Sequence, residues 1–556
     1  MSRAKPLFCD GANQILESFI MAVFSRLRWI GLVFISMAIS LVIIDGTIVN
    51  TIFPKIQKAL NLDSSQIQWV QESYVLVFAA LLLVWGSVAD RIGRRMLLVI
   101  GILIFIGASV WAGYSNDVSQ MLIARILQGF GGSMVLPTTL SLVNANFQGK
   151  ERGIAFAVWG ATIGGMVAIG PVLGGWLAGI DNFFGIDGWR LAFDVNLPLG
   201  LIVAAGLLLF VNESKMQQRS GTPDILGSFL SVGLFLTLVF GLIEGRNYGW
   251  WNVNKEFKIG DWTWGTTGIS VIPVALGLSI VFGVLFVLWE KAREKAHKPV
   301  LLDLNLFSVA SFRNGSIAAL IISMGEFGIL FAIPLWLQNV LGLSPVDSGL
   351  VLLWLAGGAF LASGVGGALS GKLAPAMAVR IGVALELLGV LGVAIFASDT
   401  AGWGPLAPCL FIYGLGVGLA TAQLTGVIMV DVPMDKVGQA SGSQSTVRQI
   451  GSALGIAVLG TVLFTQIQSI MTDKLAAAGM QADQASTFTS GVVESAGGYI
   501  PVAQMTPGIT AEYVQIAKDS FTAGVQFAAV AAAIFLALGF LATFRLAKTH
   551  HGEIAK

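Results

Sequence analysis

Charged side chains are scarce in this sequence. Asp, Glu, Lys and Arg make up 11 % of the 556 residues, whereas 55 % of the residues are apolar. Soluble domains carry about 25 % charged residues, so this composition excludes an ordinary soluble protein, and the mean hydropathy of +0.80 agrees. Apolar runs of about 20 residues recur along the chain, and each is long enough to cross a bilayer as a helix.

Cysteine and histidine are also rare, with two and three copies. Cys9 and Cys409 lie far apart, which argues against a disulfide framework, and His297, His550 and His551 lack metal-ligand spacing. No glycine-rich loop ends in Gly-Lys-Ser or Gly-Lys-Thr, so ATP is not the expected energy source. The net charge of +1 does not favour nucleic acid. We therefore expect no enzyme activity, metal, cofactor or nucleic-acid partner.

The apolar runs lack the period-two alternation of barrel strands, so helices are the remaining way to satisfy the backbone in lipid. The 68 glycines suit close packing of helices in a bilayer. We predict an all-α integral membrane protein with the lipid bilayer as its solvent. Its fourteen predicted spans are 29–53, 66–89, 96–115, 118–143, 153–179, 190–212, 224–244, 266–289, 312–339, 347–371, 378–397, 404–430, 437–464 and 521–546.

The distribution of Lys and Arg predicts the orientation of the spans. With both termini cytoplasmic, inner segments and the span ends beside them hold 21 of these residues and outer segments with theirs hold 8, while Arg125, Arg313 and Arg448, within or at the edge of spans, are counted with neither side. We therefore predict a multi-pass protein of the cell's inner (plasma) membrane with both ends in the cytoplasm.

A short internal repeat divides the spans into two halves. Residues 86–101 and 367–382 share a glycine at each end and a basic residue after the fifth position, but Gly371 replaces Asp90. Such parallel repeats relate two six-helix groups. The predicted organisation is a tail (1–28), an N-terminal six-helix bundle (29–212), two inserted spans (213–311), a C-terminal six-helix bundle (312–546) with a long outer loop (465–520), and a tail (547–556). An amphipathic helix is possible in that loop, although a solvated cap is the simpler expectation.

Six short motifs follow one another along these spans, at residues 44–54, 86–95, 125–132, 164–175, 189–200 and 448–455. The second reads GSVADRIGRR and the third RILQGFGG. Together they cover nearly the whole chain and resemble the major facilitator superfamily, in particular its fourteen-span drug:proton antiporter group. The resemblance implies a major facilitator fold with two six-helix bundles plus two extra spans. This chain has Ile52-Phe53-Pro54 where the group usually has Ala-Leu-Pro. The difference affects helix packing and does not change the resemblance to the group.

Six charged residues lie well inside predicted spans: Asp45, Glu72, Arg125, Glu326, Glu386 and Arg448. Charges inside a bilayer are costly, so each one is a candidate functional residue. Four acids against two bases leave a net negative interior. At least one carboxyl is therefore expected to bind and release a proton, so that a proton gradient drives the protein.

The first three of these residues lie at one depth. Asp45, Glu72 and Arg125 are each about 9–12 Å inside the outer face at ~1.5 Å per residue. We predict that this cluster carries the coupling proton, with Asp45 as the leading titrating group and Arg125 as its modulator. The alternative is a locked, structural Asp45–Arg125 salt bridge.

A second group of candidate site residues lies near the midplane of the ninth span. Glu326, with Met324 and Phe327 beside it, suits an organic cation through charge pairing and cation–π contact. A second proton site or an ion pair with Arg448 are the alternatives, and Arg448 is included in the predicted substrate site. Glu386 is expected to snorkel or pair locally.

The turn after the second span is the predicted gate, and its residues are Gly86, Asp90, Arg91, Gly93 and Arg94. A helix that starts on the cytoplasmic side presents a positive dipole end there. Span thirteen, which starts near Val437, does so. We predict that Asp90 latches the two halves there, with Arg94 supporting the bend. The alternative is a loop that merely obeys the positive-inside rule.

The fifth span carries the predicted antiporter motif, formed by Gly164, Gly170, Pro171, Gly174 and Gly175. Small residues at four-residue spacing let a neighbouring helix approach closely, although generic packing also explains glycines. The resemblance associates this pattern with antiporters and not with uptake systems.

The predicted function is proton-coupled efflux of drugs or other lipophilic, cationic small molecules by alternating access, carried out by a monomer. The first alternative is a dedicated exporter of one endogenous metabolite or antibiotic. An uptake symporter and a non-transporting membrane receptor are weaker alternatives. The fifth-span pattern argues against the symporter, and the paired acids and gating turns argue against the receptor.

Overall fold

A computed structural model describes residues 8–62, 64–180, 182–183, 185–214, 222–259, 262–265, 267–369 and 373–546. Among these residues, thirteen helical segments are long and apolar enough to cross a membrane. The helix Gly149–Ala178, 30 residues long, is not one of the thirteen and makes fourteen. The all-α class and the number of spans therefore agree with the prediction.

Seven helices form the N-terminal bundle, and the last two together make one span, Gly188–Phe210. They are α1 (Phe8–Leu60), α2 (Ser64–Ile92), α3 (Arg94–Gly113), α4 (Val118–Asn146), α5 (Gly149–Ala178), α6 (Gly188–Asp194) and α7 (Asn196–Phe210). The first helix is longer than predicted, because it begins at Phe8 inside the predicted tail 1–28.

The inserted pair of spans is α8 (Ile225–Tyr248) and α9 (Val271–Lys295), with a short hairpin of β1 (Phe257–Ile259) and β2 (Trp262–Trp264) between them. The strands are antiparallel, with Phe257 opposite Trp264. The sequence analysis did not predict this hairpin. Aromatic rings attach the pair to the N-terminal bundle, since Trp69 stacks on Phe240 with ring centroids 6.2 Å apart.

The C-terminal bundle contains eight helices. They are α10 (Ala310–Asn339), α11 (Pro345–Leu369), α12 (Pro375–Phe396), α13 (Leu406–Met429), α14 (Val437–Ala477), α15 (Ala482–Glu494), α16 (Tyr499–Ala503) and α17 (Ala511–Thr543). Short 3₁₀ turns, Leu304–Ser308 and Met434–Lys436, precede α10 and α14.

The segment 465–520 is mostly helical and not the long loop that was predicted. It contains the end of α14, both short helices α15 and α16, and the start of α17. Ala485, Phe488, Thr489 and Val492 are buried, and their spacing of three and four residues is that of an amphipathic helix that packs on a neighbour. Of the two expectations for this segment, the amphipathic helix is therefore the one the structure contains.

The two bundles meet along two lines. Helix α2 packs against α14, and α5 packs against α11 and α13. We call the end of the bundles that carries Asp90 and Val437 the Asp90 end; it is the end that the charge distribution predicts to be cytoplasmic. Residues 370–372 lie outside the described residues. They include Gly371, which stands at the position of Asp90 in the second repeat.

Candidate functional site

A buried ion pair occupies the middle of the N-terminal bundle. Arg125 of α4 donates from Nη1 to Oδ2 of Asp45 in α1 at 2.8 Å, and both side chains are 0 % exposed. The predicted contact between these two residues is therefore present. A buried ion pair is stable only when the two charges are close and further hydrogen bonds satisfy their remaining polar atoms. The residues around the pair therefore determine its chemical role.

The second oxygen of Asp45 accepts hydrogen bonds from two amides. Gln128 Nε2 lies 2.7 Å and Asn196 Nδ2 lies 3.0 Å from Oδ1. Ser109 ties this group together, since its Oγ accepts from Asn196 at 2.8 Å and donates to the Phe193 carbonyl at 3.0 Å. Asp45 therefore accepts hydrogen bonds from three donors, and both of its oxygens are satisfied.

The Arg125 guanidinium is equally well held. Its Nε donates to the Val70 carbonyl at 3.1 Å and Nη1 donates to Gln128 Oε1 at 2.6 Å. The guanidinium carbon lies 4.4 Å from the centroid of the Tyr74 ring, which is a cation–π contact. Sequence reasoning missed Gln128, Asn196 and Ser109 as site residues, although Gln128 and Asn196 belong to two of the six motifs.

Glu72 does not belong to this cluster, and the prediction that it shares a site with Asp45 and Arg125 is wrong. The Glu72 carboxyl faces that of Glu244 in α8. Gln71 donates toward the cluster instead, from Nε2 to the Gly46 carbonyl at 3.2 Å. Successive residues of a helix point about 100° apart, so matching depth did not place Glu72 on the side of α2 that faces Arg125.

Glu244 is buried and not at the surface. Its side chain is 2 % exposed and accepts a hydrogen bond from Asn247 Nδ2 at 2.9 Å. Together, Glu72 and Glu244 form an acidic contact between the N-terminal bundle and the inserted pair of spans.

The C-terminal bundle contains a second, looser ion pair. Arg448 Nη2 of α14 lies 3.4 Å from Oε2 of Glu326 in α10, and their side chains are 18 % and 4 % exposed. Thr421 donates to Glu326 Oε1 at 3.3 Å, and the Tyr413 hydroxyl donates to the Glu326 backbone carbonyl at 3.1 Å. This is the ion pair that the sequence analysis left open as an alternative to substrate binding.

Two neighbours of Glu326 were assigned to a substrate site. Phe327 is half-buried, as is Met324. The Met324 backbone packs against α14, because a Cβ on Gly455 would overlap the Met324 carbonyl. Met324 therefore contributes its backbone to the α10–α14 contact.

Glu386 of α12 is buried, and the prediction that it snorkels to the surface is wrong. Its side chain is 0 % exposed, and neither carboxyl oxygen has a hydrogen-bond partner among the residues described. Gly416 of α13 covers it: a Cβ there would lie 2.6 Å from Glu386 Cγ. Sequence reasoning counted residues from the helix end, but the burial of Glu386 comes from a glycine of a neighbouring helix, which brings α13 over the side chain.

The structure brings the predicted gate residues together at the Asp90 end. Asp90 is 0 % exposed and pairs with Arg94 Nη2 through Oδ1 at 2.9 Å. Its carboxyl packs on Gly438 in the first turn of α14, where a Cβ would overlap it. Gly86 allows this approach, since a Cβ on Gly86 would lie 2.6 Å from the Gly438 carbonyl. An acid of one bundle thus sits at a helix start of the other.

Glu213 and Ser214 complete this turn, and the sequence analysis missed both. Glu213 accepts from the backbone N–H groups of Arg95 and Met96 at 3.0 Å each, which caps the start of α3. Gly93 has a φ of +117°, a conformation that favours glycine. Arg91 lies half-buried in the last turn of α2.

The linker after the inserted pair attaches to the same helix start. Gln439 of α14 donates from Nε2 to the Val300 carbonyl at 3.0 Å, and Lys436 pairs with Asp303. Burial raises the pKa of Asp303, but the Lys436 ammonium and the Asn305 backbone N–H outweigh it, so the net pKa lies below the usual value. This clamp joins the inserted spans to the start of α14.

The glycines of α5 lie between the two bundles. A Cβ on Gly170 or Gly174 would overlap Thr47 Oγ1 or Thr51 Oγ1 of α1, and one on Gly175 would overlap Val346 of α11. Pro171 lies between them and faces α11, since a Cβ on Gly349 would lie 3.4 Å from Pro171 Cβ. Gly164 is in the same helix, but its surroundings lie outside what the structure describes. The motif therefore lets α1, which carries Asp45, and α11 of the other half pack on one helix.

Comparison with known proteins gives matches in sequence and in fold over most of the chain. The model of the Major Facilitator Superfamily matches residues 35–456. The crystal structure of the human organic anion transporter MFSD10 has a TM-score of 0.58 at 11 % identity, over 93 % of this chain and 99 % of that chain. At that identity the likeness concerns the fold alone.

Two curated relatives match over most of their length. The multidrug resistance protein Stp of Mycobacterium tuberculosis (strain CDC 1551 / Oshkosh) is 30 % identical over 94 % of this chain and 92 % of its own. The tetracenomycin C resistance and export protein of Streptomyces glaucescens is 28 % identical over 93 % of this chain and 91 % of its own.

Proposed function

The chain belongs to the Major Facilitator Superfamily, and we propose that it exports lipophilic cations in exchange for protons. It is a multi-pass membrane transporter, and membership in a transporter superfamily agrees with the expectation that it is not an enzyme. The names of its relatives, a multidrug resistance protein and an antibiotic export protein, support drug efflux as its task.

One observation carries the proposal: the fully buried Asp45–Arg125 pair with its three-donor carboxylate. Charges at membrane depth are expensive and mark ion pathways. Protonation of Asp45 would remove the charge that holds Arg125 Nη1 and would weaken the acceptor to which Gln128 and Asn196 donate. Such a change alters the packing of α1 against α4 and so makes the N-terminal bundle sensitive to protons.

Helix α5 supports a route from this proton site to the other bundle. Gly170 and Gly174 contact α1 within seven residues of Asp45, and Gly175 contacts α11. A shift of α1 on protonation would be passed through α5 to the C-terminal bundle. The Asp90–Gly438 contact then acts as the latch that holds the Asp90 end closed while the opposite end opens.

The substrate site in this proposal lies around Glu326, with Arg448 as its partner in the absence of a cation. The pair is held by a single 3.4 Å contact, so an organic cation can compete with Arg448 for the carboxylate. The acidic interior as a whole favours positively charged substrates over anions. We assign the Asp90 end to the cytoplasm, place both termini there in the plasma membrane, and take the monomer as the working unit.

A second candidate is export of one endogenous antibiotic or metabolite on the same scaffold. The printed name of the Streptomyces glaucescens relative, an export protein for a single antibiotic, favours it. The two candidates share the proton site and differ in how many compounds bind around Glu326.

Ethidium efflux from pump-deficient cells tests the proposal. We expect wild-type efflux to stop when a protonophore collapses the gradient, and Asp45→Asn to abolish efflux at equal expression. Glu512→Gln, an exposed acid in α17, is the matched control and should transport normally. Efflux that persists in Asp45→Asn would remove Asp45 from the coupling. A well-expressed wild type without ethidium efflux would favour the single-substrate candidate.

A further inference from the structure

Glu386 is a buried acid to which the proposed mechanism assigns no task. We propose that Glu386 is a second proton-binding site, which gives up its proton when a cation binds beside it at Glu326. This inference rests on the proposed function and specifies how the C-terminal bundle exchanges the two charges.

The surroundings of Glu386 show which form of the carboxyl they accommodate. The side chain is 0 % exposed, and within the described ranges of the chain neither of its oxygens has a hydrogen-bond partner. A buried carboxylate without donors carries the full cost of its lost hydration. Asp45, by contrast, receives three donors at 2.7–3.0 Å. In this conformation Glu386 therefore holds a proton and is neutral.

The charged and titratable groups near Glu386 come from three other helices: Glu326 of α10, Tyr413 of α13 and Arg448 of α14. Helix α17 also packs on α12, but residues 521–543 contain no charged side chain. On α12 itself, the Arg380 guanidinium lies 4.7 Å from the Phe544 ring, nearer the helix end. The local charge is thus set by Glu326, Arg448 and Glu386.

The charge balance of these three groups links cation and proton. With Glu386 neutral, the Glu326–Arg448 pair is balanced and the site has no net charge. A monovalent cation bound at Glu326 would leave one uncompensated positive charge in a medium of low dielectric constant. Loss of the Glu386 proton restores neutrality.

The step breaks the O–H bond of the Glu386 carboxyl and passes the proton to bulk water. Both electrons of that bond remain on the carboxylate, so nothing is oxidised or reduced. One cation enters and one proton leaves, and the return of a proton to Glu386 expels the cation. Asp45 lies in the other bundle and provides a separate proton site.

Infrared difference spectroscopy of the purified protein tests the protonation of Glu386 without any substrate. A protonated carboxyl has a C=O stretching band that a carboxylate lacks. We expect this band to be smaller by one carboxyl in Glu386→Gln than in wild type near neutral pH, and to be shifted in Glu386→Asp, whereas Glu512→Gln should leave it unchanged. Identical bands in wild type and both Glu386 variants would overturn the proposal.

Proton release on cation binding tests the exchange. Tetraphenylphosphonium added to wild type in weak buffer should release about one proton per bound cation, and its Kd should rise about tenfold per unit fall in pH. In Glu386→Gln, cation binding should release no proton from this site and the Kd should depend less on pH. Equal release by both proteins would overturn the exchange. A wild type that binds no cation would contradict the proposed function and therefore also the exchange. The infrared bands would still show whether Glu386 holds a proton.

Discussion

The two bundles hold their buried acids in opposite ways. Asp45 of the N-terminal bundle is paired with Arg125 at 2.8 Å and accepts from two further amides. Glu386 of the C-terminal bundle is equally buried, and neither of its oxygens has a donor among the residues that the structure describes. Hydrogen bonds and an adjacent cation stabilise a carboxylate, and burial without them stabilises the protonated acid. One fold therefore contains a buried acid with a full set of donors and a buried acid without them.

The arginines differ in the same sense. Arg125 is 0 % exposed and has partners on every nitrogen, whereas Arg448 is 18 % exposed and reaches Glu326 at 3.4 Å. The N-terminal pair is suited to respond to protonation as a unit. The C-terminal pair is suited to be separated by a competing cation.

The largest expected effect comes from removing the tightly held arginine. Arg125→Met would leave Asp45 as a buried charge without its counter-ion, so we expect a loss of ~3–5 kcal/mol of stability. Thermal unfolding in detergent measures it. The double variant Asp45→Asn with Arg125→Met should recover part of the loss. An unchanged midpoint in the single variant would show that the pair contributes nothing.

The same change in the C-terminal bundle should cost less. For Arg448→Met we expect a loss of about 1.5–3 kcal/mol, the range for hydrogen bonds to charged groups, because Glu326 keeps Thr421 and the contact is long. The same unfolding assay applies, with Arg313→Met, an exposed residue, as control. A cost equal to or above that of Arg125→Met would contradict the difference between the two pairs.

An ion pair outside the membrane gives a smaller reference value. The Asp303–Lys436 clamp is partly exposed, and Asp303→Asn should cost ~0.2–1 kcal/mol. Because the pKa of Asp303 is lowered in the folded protein, the contribution is present at neutral pH and is lost as the pH falls below the usual value of 3.8. Unfolding midpoints of wild type and Asp303→Asn should therefore converge on acidification. A constant gap between them would assign the effect to packing.

The smallest expected effect belongs to Glu386. Glu386→Gln replaces a neutral acid by a neutral amide of similar shape, so we expect a smaller loss of stability than in the other variants. The same chemical change at Asp45, Asp45→Asn, should cost more, because Asn cannot accept the charge-assisted bonds that hold Arg125. Comparable losses in both variants would indicate that Glu386 is charged, contrary to the comparison.

The sequence could predict how deep each charged residue lies but not which way it faces. Residue counts from helix ends gave the shared level of Asp45 and Arg125, and the structure joins them. The same counts placed Glu72 there, yet its helix directs it toward Glu244. Glu386 was misplaced for a related reason: its burial depends on Gly416 of another helix, and no pattern within α12 records that contact.

The fourteen spans were predictable because hydrophobic length decides them. The segment 465–520 was not, since its short helices depend on packing against α14 and not on crossing lipid. The contact between Asp90 and the start of α14 was predictable. The acid in a glycine-rich turn and the start of the other helix are both visible in the sequence. The capping role of Glu213 was not predictable, because it joins residues that are far apart in the sequence.

Cation transport into proteoliposomes tests the central claim most directly. With an acidic lumen and a neutral bath, protons leave down their gradient, and we predict that wild type accumulates tetraphenylphosphonium above the level in protein-free liposomes. Nigericin, which exchanges K⁺ for H⁺, should abolish the excess, and Asp45→Asn should not produce it. Accumulation that is equal with and without the pH gradient would contradict proton-coupled export.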